Sequence, residues 1–147
     1  MPLTVPYRKQ LGDGYCLPAC TQMVLAYWGM TQSQDIIGKH LPIGVPASHI
    51  QRLASSSLAI VYATGNLDTL VKNMQANVPV IVFIQASELP HWFGHRFQHA
   101  VLVVGLNERF VYILDPAVDE QVIAVPEEDF MLAWDEMDNA YATVALK

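Results

Sequence analysis

The stretch Gln10-Leu-Gly-Asp-Gly-Tyr-Cys16-Leu-Pro-Ala-Cys20-Thr-Gln-Met-Val-Leu-Ala-Tyr-Trp-Gly29 decides how this chain is read. Proline is tolerated in the first turn of a helix and glycine is a common stop, so Pro18 and Gly29 bracket a predicted helix over residues 18–28. Met23, Val24, Tyr27 and Trp28 fall at helical spacing, which makes this the buried central helix. Cys16 then lies at or just before the helix N-terminus, where unpaired backbone N–H groups and the dipole favour an anion. A thiol attacks only as its thiolate, and its ordinary pKa is ~8.5, so such a position lowers the barrier to reactivity. Cys20, one turn further along, reads as buried packing.

The groups that would activate a thiol lie far downstream. His99 opens the strand-like run His99-Ala-Val-Leu-Val-Val-Gly105, and Asp115 closes Phe110-Val-Tyr-Ile-Leu-Asp115-Pro116. If residues 99–106 and 109–114 pair as a hairpin turning at Asn107 and Glu108, with Arg109 in or beside the turn, the start of one strand lies beside the end of the other. His99 and Asp115 then meet at one sheet edge. In that arrangement His99 shares its proton with Cys16, and Asp115 fixes the imidazole tautomer. Gln10, six residues before the thiol across a loop containing Gly12 and Gly14, is placed to donate a hydrogen bond to a developing oxyanion. The segment His91-Trp-Phe-Gly-His95-Arg-Phe-Gln-His99 spaces its histidines by four, as a metal-binding helix face would, but Pro90 and Gly94 interrupt it. No metal or cofactor is therefore assigned. The segment reads as a loop over the cleft, with Trp92 and Phe93 as substrate contacts beside Leu17, and with Phe97 nearby.

Further helices are predicted near residues 33–39 and 46–54, and over 67–75 with Asn66 as N-cap. Strands follow at 78–84, 99–106, 110–114, 121–125 and 141–146, with one late helix over 126–134 whose first turn carries Glu127, Glu128 and Asp129. Helices first and antiparallel strands after them define an α+β class, with N-terminal helices packed on an antiparallel sheet. The 147 residues are 52% apolar and 15% charged, which suits one compact domain over residues 1–147. Eight Lys and Arg against fourteen Asp and Glu give a net charge of −6, too acidic for a phosphate-binding face. Nucleic acid is excluded as a partner on that ground. No secretory signal and no apolar run of membrane-spanning length are visible, so a cytoplasmic, reduced setting is expected.

Gln10, Cys16, Ala19 and Cys20, followed by a helix ending Tyr27-Trp28-Gly29, resemble the start of a C39-type cysteine peptidase domain. The resemblance continues through His99-Ala-Val-Leu-Val-Val-Gly105, Val111-Tyr-Ile-Leu-Asp115-Pro116-Ala117, and a late helix with Phe130 and Trp134. It implies a papain-like fold and hydrolysis of a peptide or isopeptide bond. By that likeness Cys16 is the nucleophile, His99 the general base, Asp115 the orienting carboxylate and Gln10 the oxyanion donor. Typical members cleave leader peptides after Gly-Gly and are fused to exporters. This chain looks like a stand-alone domain, which implies a peptide or protein substrate and a separately encoded transporter or substrate partner. Leu17 stands where the family has glycine, and Tyr15 where an acid is usual, so Gly-Gly specificity is left open. The alternatives are an inactive C39-like peptide-binding module, an acyl or amide transferase using the same triad, and a metal-binding scaffold built on the histidine-rich loop.

Overall fold

The computed structural model describes residues 2–147. Six strands form one antiparallel sheet in the order β1-β6-β2-β3-β4-β5. They are β1 (Leu58–Thr64), β2 (Val80–Gln85), β3 (Gln98–Leu106), β4 (Phe110–Leu114), β5 (Val122–Pro126) and β6 (Ala140–Leu146). The helices are α1 (Cys16–Tyr27), α2 (Gln34–His40), α3 (Leu67–Gln75) and α4 (Glu127–Asp135). The observed class is α+β with an antiparallel sheet, as the sequence implies. Two departures stand out. Residues 58–64 form a strand where none is predicted, and the predicted helix at 46–54 is a 3-10 helix, Ala47–Leu53, whose N-terminus carries no side-chain cap.

Every residue of β2 is buried because the sheet is covered on both sides. Ile81 and Phe83 of β2, with Ala100, Leu102 and Val104 of β3, pack against Met23, Val24 and Leu25 of α1 and Ile37 of α2. Val80, Val82, Ile84, Val101 and Val103 point the other way, against Leu70 of α3 and Phe130, Ala133 and Trp134 of α4. The period-two alternation thus divides two equally apolar sets between two cores.

Local chemistry fixes the ends of these elements. The N–H groups of Gly29 and Met30 return to the carbonyls of Ala26 and Leu25, closing α1 with a Schellman pattern. Asn66 and Thr69 exchange side-chain and backbone bonds of 3.0 and 3.1 Å in a capping box on α3. The β3–β4 turn is held by Asn107, whose Oδ1 accepts from the N–H groups of Arg109 and Phe110 at 2.8 Å. Residues before α1 run as a strap across the sheet end: the Leu3 N–H donates to the Val104 carbonyl, and the Gln10 N–H donates to that of Pro116. A Cβ at Gly105 would lie 3.0 Å from Pro2 Cα, so a side chain there would press the strap back from β3.

Candidate active site

α1 begins at Cys16 itself. Its N-cap, Tyr15, offers no side-chain hydrogen bond and no acidic residue occupies the first turn, so the positive end of the helix is left for the thiol. The chain reaches that point through a turn closed by the Tyr15 N–H on the Gly12 carbonyl. Gly14 in this turn has φ +84°, and a Cβ there would meet Ile43 Cγ1 at 2.7 Å. The left-handed backbone favours glycine just ahead of Cys16, and a side chain there would also displace Ile43.

β3 and β4 pair with Leu102 opposite Leu114, so the start of β3 lies beside the end of β4. His99 and Asp115 meet there, Nε2 to Oδ1 at 2.7 Å. His99 is 5% exposed and Asp115 is fully buried, which places this contact out of solvent. Nε2 is thus committed to Asp115, and Cys16 lines the same cleft as His99.

The charges of the three groups depend on one another. Burial pushes the Cys16 thiol up, but hydrogen bonding and charge from His99, with backbone hydrogen bonds at Ala100 and Leu17, bring it below its ordinary value. Burial would lower His99, yet Asp115 and Cys16 raise it to about 9. Burial would likewise raise Asp115, and the hydrogen bonds from His91 and His99 hold it well below the usual carboxylate range. The arrangement favours a thiolate–imidazolium pair backed by a carboxylate. Cys20 behaves oppositely: it is fully buried, its Sγ donates to the Ala100 carbonyl at 3.5 Å, and burial pushes its thiol well up.

The Asp115 carboxylate accepts four donors. Oδ1 takes His99 and, at 2.9 Å, the Ala117 N–H; Oδ2 takes the Trp92 indole at 2.7 Å and His91 Nε2 at 2.8 Å. The Tyr7 hydroxyl, from the N-terminal strap, lies 3.3 Å from the Asp115 carbonyl and donates to that of Val118. A cleft of about 600 Å³ opens over Cys16 and His99, walled by Leu17, Ile43, Tyr62, Phe83 and Met137.

The structure brings Cys16, His99 and Asp115 together and sets Leu17 in the cleft wall. Two of the residues expected to contact substrate, Trp92 and Phe93, are not among those that wall this cleft. The Trp92 indole sits on Asp115 and Phe93 is 84% exposed. The physical reason is that the buried carboxylate needs donors, and the turn carrying Trp92 supplies them. The Gln10 side chain sits on the Gly12 carbonyl, Nε2 to O at 2.9 Å, with Oε1 buried and unpartnered. His91 is the residue that the sequence did not single out. Its only signal is membership of the histidine- and aromatic-rich segment, which spacing alone does not connect to Asp115. Among the described residues, no group of three or more His, Cys, Asp or Glu could hold a metal ion.

Comparison with known proteins agrees with this fold. No curated protein matches the sequence. Among solved structures, a Bacillus anthracis protein assigned as a C39-like peptidase is 21% identical, with a TM-score of 0.78 over 98% of this chain and 96% of that one. The peptidase domain of Streptococcus ComA, a bifunctional ABC transporter of a quorum-sensing pathway, is 20% identical, with a TM-score of 0.75 over 99% of both chains. A double glycine motif protease from an AMS/PCAT transporter, solved with its leader peptide, is 18% identical, with a TM-score of 0.74 over 99% of this chain and 94% of that one. At these identities the likeness shows a shared fold, that of C39 peptidase domains. The sequence itself matches the model of the Peptidase_C39 like family over residues 2–142. The chain belongs to the peptidase C39-like family.

Proposed function

We propose that this chain is a cysteine peptidase acting on a peptide or isopeptide bond. The observation that carries the reading is the His99–Asp115 contact of 2.7 Å, with Cys16, at a helix N-terminus, lining the same cleft as His99. The Cys16 thiolate attacks the substrate carbonyl carbon, and the C=O electron pair moves onto oxygen. His99 gives its proton to the leaving amine as the C–N bond breaks, leaving a thioester on Cys16. A water then gives a proton to His99, adds to the thioester, and releases the acid and the thiolate. Asp115 keeps the imidazole oriented throughout without taking the proton.

Gln10 is the oxyanion donor in this reading, together with the Cys16 N–H, which requires its amide to leave the Gly12 carbonyl when substrate binds. Leu17, in the cleft wall beside the nucleophile, narrows the space next to the scissile bond and argues for a specificity other than Gly-Gly. The partner is a peptide or protein substrate, brought by a separately encoded transporter or encountered free. A reducing compartment such as the cytoplasm suits a mechanism that needs Cys16 as thiolate. Among the described residues, no helix is long and apolar enough to cross a membrane.

The test is digestion of an unbiased peptide library by the wild-type chain and by Cys16→Ala. Cleavage products that vanish in the variant support the reading. A folded wild type that cleaves nothing, and whose Cys16 is alkylated no faster than an ordinary thiol, would leave only a peptide-binding module.

A further inference from the structure

The mechanism above leaves His91 without a part. We infer that His91 is a positioning residue of the same site: it holds the far oxygen of Asp115 and thereby fixes the carboxylate that orients His99. The inference rests on the cysteine peptidase reading.

A fully buried carboxylate can only accept hydrogen bonds once it is ionised. His91 Nε2, 2.8 Å from Oδ2, therefore carries a hydrogen and donates it. The donors divide evenly, His99 and the Ala117 N–H on Oδ1, Trp92 and His91 on Oδ2. Any rotation of the carboxylate that takes Oδ1 away from His99 also pulls Oδ2 from two donors. Trp92 and His91 are consecutive in a short 3-10 turn, Pro90–Trp92, anchored by the buried Leu89. The Trp92 ring also meets the His99 ring edge-on, with centroids 6.0 Å apart. One turn thus braces both members of the pair. The His91 side chain is itself 21% exposed, so its contact with the carboxylate, more than its packing, distinguishes it.

The rate of Cys16 alkylation by iodoacetamide, followed against pH, reads the thiolate–imidazolium pair with no substrate present, and the fully buried Cys20 does not compete. His91→Ala is expected to slow alkylation near neutral pH about tenfold, the size of one lost charge-assisted bond. It is also expected to move the inflexion belonging to His99 down from about 9 toward the ordinary imidazole range. His91→Gln, which can return an N–H to Oδ2, should recover the rate to within about threefold of wild type. A His91→Ala profile identical to wild type, or an inflexion that moves upward, overturns the inference. Failure of the peptidase reading looks different: alkylation of Cys16 would then be unchanged in His99→Ala. If His91→Ala does not fold, nitrogen NMR of the wild-type imidazoles decides the matter. Nε2 of His91 protonated from about pH 6 to about pH 8 supports the inference, and an unprotonated Nε2 there overturns it.

Discussion

A buried carboxylate with four donors, Asp115, acts through His99 on a sulfur to which it makes no hydrogen bond. Asp115 raises His99, and hydrogen bonding and charge from His99 lower Cys16. The active form needs the thiol deprotonated and the imidazole protonated. Peptidase activity should therefore rise with pH as Cys16 loses its proton below the ordinary thiol value. It should fall as His99 loses its own at about 9. A kcat/KM profile measured across both limbs checks this, and a single sigmoid rising through the ordinary thiol range would contradict it. Asp115→Asn presents an amide N–H to oxygen-seeking donors and removes the charge that raises His99. We expect a loss of about 10²–10⁴ in kcat and of about 1–3 kcal/mol in stability, read by kinetics and by denaturant melts of the same sample. Gln10→Ala should lower kcat by about 10²–10³ with little change in KM, the signature of a donor used only in the transition state. A change confined to KM would remove Gln10 from the oxyanion role.

At the scale of elements, what the sequence disclosed follows from where the decisive information is local. Gln10 to Gly29 announces its helix because a proline, an apolar stripe and a glycine stop lie within one window, and the Asn66 cap is legible for the same reason. Asn66→Ala should cost about 1 kcal/mol of stability, and kcat should be unaltered because α3 packs on the sheet face opposite α1. Thermal melts beside kinetic assays separate the two. β1 was less legible. Leu58-Ala-Ile-Val-Tyr-Ala-Thr64 shows no period-two pattern, and its place at the sheet edge depends on β6, which comes more than seventy residues later. The turn carrying His91 and Trp92 escaped for a related reason. Its direction is set by a carboxylate that arrives from β4, and no local pattern encodes that meeting.

The whole molecule is a sheet covered on both faces, with its reactive groups gathered at one end, and two of them link its stability to pH. His99 is raised in the folded state, so its contribution is complete below the ordinary imidazole range, ~6.5, and is lost as pH rises through about 9. Asp115 is lowered, so its contribution is present above the ordinary carboxylate value, ~3.9, and is lost as pH falls through its depressed one. Cys16 is lowered, so its contribution is lost as pH falls through its depressed value. Denaturant midpoints should hence fall off as pH rises through about 9, and Cys16→Ala should weaken that alkaline dependence because Cys16 helps to raise His99. The order of assembly was visible in the sequence as three reactive groups in one spatial sequence, while the strap that ties them was not, since residues 2–10 carry no regular element. That strap has a consequence for biosynthesis. Tyr7 donates to the carbonyl of Val118, 111 residues further along, and Cys16 likewise precedes His99 by more than half of the chain. At about 5–20 residues per second a ribosome needs several seconds to connect them. Throughout that interval Cys16 is without His99, the group that brings its thiol down, and the nascent chain carries it as an ordinary cysteine.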